Sequence, residues 1–222
     1  MQGPAAGTGC PALRLIVPTV RAFVGCALDD AAMVRVIDAQ RRARSIAEHA
    51  AWRCAWVAPS NLHVTIEFLG NVDVTSIDAL RDAIARGASV HPPIDVELAG
   101  IDAFPRDRSP RVLYVAMRVL TGDLAAVARD IDTAVAPFGV PPEARPFRGH
   151  LTLARVKHAP RGEGVETFAT KLAPMLAGAA RIDAVTLYES ELLADGPRYH
   201  VLGRYPLGTP NVPDNGPAVS GA

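Results

Sequence analysis

Leu62-His63-Val64-Thr65-Ile66-Glu67-Phe68-Leu69-Gly70 and Gly149-His150-Leu151-Thr152-Leu153-Ala154-Arg155 carry the same triplet, His-x-Thr, each within an apolar run. Runs of this length and composition predict β-strands. Residues i and i+2 of a strand share a face, so each triplet sets an imidazole beside a hydroxyl. With 6 His and 222 residues in the chain, chance supplies about 0.3 such triplets, so two copies in matching surroundings are a signal. Parity puts His63, Thr65 and Glu67 on one face and Val64, Ile66 and Phe68 on the other, toward helices. In the second copy His150, Thr152 and Ala154 share a face, with Leu151 and Leu153 behind. Arg155 then falls opposite His150 unless the strand bulges.

Outward from the triplets the pattern alternates. Val20 to Leu28 reads as a strand, and Asp29 caps a helix carrying Met33, Val34, Ile37 and Ile46. The turn cluster Pro59-Ser60-Asn61 sets the onset of the first triplet strand. Thr75 or Ser76 caps a helix with Ile77, Leu80 and Ile84 at helical spacing, and a strand follows from Ile94 to Ala103. The order repeats: a strand from Arg111 to Val119, a helix started by Asp123 with Leu124, Val127 and Ile131, and the strand Phe147 to Val156. A weaker helix spans about 164–176, then strands cover Arg181 to Leu192 and Tyr199 to Arg204, separated by the turn Asp195-Gly196-Pro197. Each half reads strand, helix, His-x-Thr strand, helix, strand. An internal duplication is expected, giving an α+β fold of two pseudo-symmetric lobes. Each lobe is a mainly antiparallel sheet with outer helices, and the two enclose a central cleft. Residues 1–19 and 206–222, rich in Gly and Pro, read as flexible tails around a domain at 20–205.

Composition bounds the function. An apolar fraction of 49% with 21% charged residues is that of a globular protein. No run reaches the ~18 apolar residues of a membrane span, and the N-terminus lacks a secretory pattern. Cys10, Cys26 and Cys54 are odd in number and without metal-ligand spacing, which fits a cytoplasmic location. A net charge of zero argues against a broad nucleic-acid surface but allows a site for one or two nucleotides.

Two histidines on opposed strands suit metal-free phosphoryl chemistry. One neutral imidazole takes a proton from attacking water, and a second, protonated, gives one to the departing oxygen. Attack and departure are roughly in line, so the pair must flank phosphorus. The threonine hydroxyls can donate to the non-bridging oxygens.

His63-Val64-Thr65-Ile66-Glu67-Phe68-Leu69-Gly70, Phe147-Arg148-Gly149-His150-Leu151-Thr152-Leu153-Ala154-Arg155, Leu187-Tyr188-Glu189-Ser190 and Ala103-Phe104-Pro105 together resemble the 2H phosphoesterase superfamily. The likeness covers about residues 20–207 and is nearest to the RNA 2′,3′-cyclic phosphodiesterases, also called 2′-5′ RNA ligases. The resemblance implies hydrolysis of an RNA-terminal 2′,3′-cyclic phosphate to a 2′-phosphomonoester. It implies His63 as proton donor, His150 as proton acceptor, and Thr65, Thr152 and Arg155 as phosphate-binding residues. It implies no metal and no cofactor. The expected partners are RNA ends or small nucleotides with a cyclic phosphate, with no membrane and no obligate protein partner. Gly149 stands where the family usually has proline, which should alter rigidity and spare the chemistry. Alternatives are another 2H activity, on a different cyclic nucleotide or in 2′-5′ RNA ligation, and a non-catalytic nucleotide- or RNA-binding module.

Overall fold

The computed structural model describes residues 18–106, 110–160, 164–194 and 196–208. The expected tails lie outside these residues except at their inner edges. There Thr19 opens the first strand and Pro206 ends the last. Leu207 is still buried and its N–H donates to the Asp183 carbonyl, so the packed chain runs slightly past 205. Asp195 of the expected turn is also outside the described residues.

Among the described residues, nine strands and four α-helices follow one another. They are β1 Thr19–Cys26, α1 Asp30–His49, β2 Arg53–Trp56, β3 Val64–Asp73, α2 Ile77–Ser89, β4 Ile94–Phe104, β5 Val112–Thr121, α3 Leu124–Val135, β6 His150–His158, α4 Glu166–Leu176, β7 Ala179–Ile182, β8 Ala184–Leu193 and β9 Gly196–Pro206. Asp29 and Asp123 cap α1 and α3 by accepting from the N–H groups of Ala32 and Ala126. Ser76 precedes α2 without a capping bond; a 3₁₀ turn at Val74–Ser76 leads in instead. The expected strand at 181–192 breaks at Asp183, and β2 is a short strand the sequence pattern does not announce.

The sheet runs β7-β4-β5-β6-β3-β1-β8-β9, with β2 added to β6, and every pairing is antiparallel. The duplicated units are β1-α1-β3-α2-β4 and β5-α3-β6-α4-β8. Each gives its last strand to the other: β4 pairs with β5, and β8 with β1. Helices are exchanged too. α1 packs with α4 on the β4 side, and α2 packs with α3 beneath β3, β8 and β9. The lobes are therefore woven from both halves of the sequence, and one apolar core runs beneath them. No helix among the described residues is long and apolar enough to cross a membrane.

α1 corrects the expected helix face. Its buried positions are Ala32, Val36, Ala39, Gln40, Ala43, Ile46 and Ala47, while Val34 is 59% exposed. Small alanines let the helix lie close to α4, so the larger residues at 33, 34 and 37 are not its main contact.

Candidate active site

β3 and β6 meet at one register pair, Val64 opposite Leu151. Both are fully buried, so their neighbours face the open side of the sheet. Continuing the antiparallel register one residue each way sets His63 opposite Thr152 and Thr65 opposite His150. The four residues form the corners of one square at the seam of the lobes, and all are half-buried.

Both imidazoles are held the same way. Nδ1 of His63 donates to the Asn61 carbonyl at 2.7 Å, and Nδ1 of His150 donates to the Arg148 carbonyl at 2.8 Å. A carbonyl only accepts, which fixes the hydrogen on Nδ1 and leaves Nε2 to exchange a proton with a ligand. Asn61 is itself pinned, its Nδ2 donating to the Pro197 carbonyl at 2.7 Å. This ties the turn before His63 to the β8–β9 hairpin. In both motifs the anchor lies two residues before the histidine, a regularity the triplets alone do not reveal.

The surroundings differ. Nε2 of His63 lies 3.0 Å from Oγ1 of Thr65; among the described residues no such bond joins His150 to Thr152. The His63 ring packs against Phe23 at 4.8 Å, Tyr199 at 5.4 Å and Tyr188 at 6.1 Å. It also lies over Gly25, where an added Cβ would come within 3.0 Å of His63 Cδ2. Burial pushes the pKa of His63 below the ordinary 6.5; the Asn61 bond opposes this, and the nearby charge of His150 adds to it. His150 touches Tyr114 at 5.4 Å and Phe104 at 5.5 Å.

The family model described as the 2′-5′ RNA ligase superfamily matches residues 33–192. The chain belongs to this superfamily. An RNA 2′,3′-cyclic phosphodiesterase of Aeropyrum pernix is 29% identical, over 66% of this chain and 82% of its own. One of Methanothermobacter thermautotrophicus is 27% identical, over 81% of this chain and 95% of its own. The crystal structure of TT0787 of Thermus thermophilus matches with a TM-score of 0.68 at 26% identity, covering 84% of this chain and 97% of that one. E. coli LigT complexed with 3′-AMP shares the fold, with a TM-score of 0.64 at 24% identity, covering 86% and 99%.

In this 2′-5′ RNA ligase superfamily member, two equivalent bulges shape the rest of the site. Gly25 pairs with Thr65 and Val24 with Glu67, skipping Ile66. Tyr114 pairs with Thr152 and Leu113 with Ala154, skipping Leu153. A bulge resets the parity of everything after it. Glu67, expected beside His63, turns to the helix side at 8% exposure, where burial and then the charge of Asp132 raise its pKa. Phe68, expected in the core, is 64% exposed and lies 6.4 Å from Phe23 on the histidine side. Ala154 is likewise buried, and Arg155 emerges on the histidine side instead of opposite it. Tyr199, whose hydroxyl pKa is raised by burial, feels the opposing charge of Arg155. The cleft thus gathers His63, Thr65, His150, Thr152 and Arg155.

Sequence reasoning missed Gln40, Gly25 and Tyr199, which act on the site through contacts far apart in the chain, and Asn61, which anchors His63 locally while being held by distant Pro197. Gln40 is buried and donates from Nε2 to the carbonyls of Val57 and Leu153, the second being the bulge residue. Three of the other four histidines have partners elsewhere: His91 with Asp130, His200 with Glu191, and His49 with the Ser45 carbonyl. His158 ends β6 at an exposed position opposite Arg53. Phe147 packs against the core, and Arg148 lends its carbonyl to His150. A Cβ on Gly149 would press on Leu124 Cδ2 at 3.1 Å.

Proposed function

We propose that the protein hydrolyses RNA-terminal 2′,3′-cyclic phosphate to a 2′-phosphomonoester by paired His general acid–base catalysis. The observation that carries this reading is the pair of adjacent imidazoles, each anchored through Nδ1 so that Nε2 is turned to a ligand. The names of the relatives support the substrate class. Water attacks phosphorus and gives its proton to Nε2 of His150. The bond from phosphorus to the 3′ oxygen breaks as Nε2–H of His63 protonates that oxygen. Thr65 and Thr152 donate to the non-bridging oxygens, and Arg155 adds positive charge at the rim. The two imidazoles supply both proton transfers, so no step calls for a metal.

His63 favours the neutral form in the free protein. The arriving phosphate supplies the negative charge that favours proton uptake and so forms its imidazolium. Thr65, bonded to that Nε2 before substrate arrives, is then free to turn to the phosphate. This reading sets the protein in the cytoplasm, acting on RNA ends or small cyclic nucleotides without an obligate protein partner.

The test is a short RNA ending in 2′,3′-cyclic phosphate, incubated with a chelator, with the product end identified. A 2′-phosphate is expected, and His63→Ala and His150→Ala should each slow its formation by about 10²–10⁴-fold. Full activity in either variant removes that residue from the mechanism. Loss on chelation removes the metal-free chemistry. Binding without turnover would leave a nucleotide-binding module.

A further inference from the structure

A second pocket, strongly basic, lies at the far end of the strand that begins with His150. It holds about 430 Å³ and is lined by Arg44 and Glu48 of α1, Trp52, Arg53 and Trp56 in and before β2, and Lys157 of β6. Arg44, Arg53 and Lys157 are exposed, and none joins a salt bridge among the described residues. Three cations against one carboxylate make a local positive surplus on a chain whose net charge is zero. Unpaired like charges repel one another, so their grouping points to a ligand that brings the negative charge. The guanidinium carbon of Arg44 stands 5.7 Å from the centroid of the Trp56 ring, joining a flat cation to an aromatic face. Trp52 is 5% exposed, and its indole N–H is buried without an acceptor. Phosphates beside stackable bases match this combination of unpaired cations and aromatic rings.

We propose that this pocket binds the phosphodiester backbone of the RNA strand preceding the cyclic end, an inference that rests on the function proposed above. β6 links the two places. His150 opens the strand at the cleft and Lys157 sits near its end, a separation of about 23 Å at ~3.3 Å per residue. Arg155 lies between them. Trp56 pairs with buried Ala154 and meets Arg44 of α1, so the pocket opens toward the helix side. β2 pairs only with β6 among the described residues, so an RNA whose last phosphate sits between His63 and His150 can run along β6 and over the free edge of β2 into the pocket. Arg53 and Lys157 then meet phosphates, and a base stacks on the Arg44–Trp56 pair. The site reads backbone and base face, so it is tolerant of sequence.

Both tryptophans of the chain line the pocket, so intrinsic fluorescence reports its occupancy. The probe is a short single-stranded RNA with a 3′-hydroxyl end, titrated into the full-length protein. Tryptophan emission should change on binding. The double variant Arg53→Gln/Lys157→Gln should bind about tenfold more weakly. Its log-affinity should fall less steeply with log salt, by about 1.4 in slope at ~0.7 per phosphate contact. The same variant should hydrolyse a mononucleotide 2′,3′-cyclic phosphate at the wild-type rate, since that substrate occupies only the cleft. Both substitutions are at exposed positions, and an unchanged melting curve checks the fold. The probe has no cyclic phosphate, so its binding is read whether or not the cleft is catalytic. Turnover of the cyclic end with no tryptophan response overturns the pocket alone. A tryptophan response that survives the double substitution overturns it as well. Inorganic polyphosphate competing as well as RNA, phosphate for phosphate, reduces the pocket to a bare anion site and overturns the RNA assignment.

Discussion

Gln40 offers the sharpest test of how the cleft is held. It is 4% exposed, and its Nε2 donates to the carbonyls of Val57 at 2.9 Å and Leu153 at 3.0 Å. Both partners are acceptors, so the amide can point only one way. Leu153 is the residue left out of the β5–β6 register, and its carbonyl also accepts from the Val57 N–H at 2.9 Å. The side chain therefore stitches α1 to the bulge that turns Arg155 toward the histidines. Gln40→Met keeps the length and removes both donors. Leu153 keeps its second donor, but the Val57 carbonyl loses the one Gln40 supplies, at ~1–3 kcal/mol, and the other bond contributes about 1 kcal/mol. Burial of the methionine offsets part of this, leaving a loss of about 2 kcal/mol. For a domain of this size that lowers Tm by about 4–8 °C. Gln40→Glu should be worse at neutral pH, where a carboxylate would face two carbonyls, and should recover as acid protonates it. Calorimetry gives both shifts. Steady-state kinetics should show KM rising more than kcat falls, because Arg155 is displaced while the imidazoles are not. A Gln40→Met protein melting within about 1 °C of wild type would refute the bulge argument.

Three further outcomes are expected. In an NMR titration His63 should show a midpoint below 6.5 in the free protein, because it is buried beside His150, and inorganic phosphate should raise it. A free-protein midpoint at or above the ordinary value contradicts the burial argument. The sign carries over to stability. The folded pKa lies below the unfolded one, so protonation favours the unfolded chain. The cost is absent well above 6.5 and grows as pH falls toward the folded value; His63→Gln should flatten that part of a denaturation-versus-pH curve. Gly25→Ala would put a Cβ 3.0 Å from His63 Cδ2 and 3.1 Å from the Val64 carbonyl, so kcat should drop about tenfold with the imidazole displaced, and a kcat within about twofold would show the ring to be free to move. Arg155→Ala should lower kcat/KM by about tenfold, the low end for a charged hydrogen bond because the residue is exposed; unchanged kinetics would assign it to the surface.

Much of this was legible in the chain because two periodicities coincide. The triplet places His and Thr two apart, and the burial of Val64 and Leu151 follows from the same alternation. The capping aspartates Asp29 and Asp123 were equally plain, since an N-cap is a local matter. The bulges were hidden for a physical reason. Leu153-Ala154 are both apolar, so an extra residue leaves no polar gap, and Val64, Ile66 and Phe68 alternate so cleanly that nothing hints at a reset after Ile66. The alanine face of α1 was masked because alanine contributes little to a hydrophobic pattern even where it forms the contact. Strand exchange between lobes was beyond reach. Sequence order gives the elements of each unit but not which edge β4 or β8 will join.

The duplicated geometry and the unequal surroundings bear on the two roles together. Pseudo-symmetry gives both histidines the same backbone anchor and the same threonine neighbour, so placement alone assigns neither as donor. Burial distinguishes them. An imidazolium with a lowered pKa is the stronger acid and gives its proton more readily to a departing oxygen, provided something keeps it protonated until then. His63 has the lowered pKa and the aromatic enclosure, and the phosphate it is proposed to serve supplies the compensating charge. His150 has no protein partner on Nε2 among the described hydrogen bonds, which suits a group that must meet water. The donor role proposed for His63 rests on this enclosure, and the acceptor role proposed for His150 on its open Nε2. Exchanging the surroundings, for instance by opening the His63 enclosure with Tyr199→Ala, should weaken His63 as an acid by raising its pKa toward the ordinary value. The rate should then fall more for substrates with a poor leaving group than for those with a good one, a difference that a purely structural role for Tyr199 would not produce.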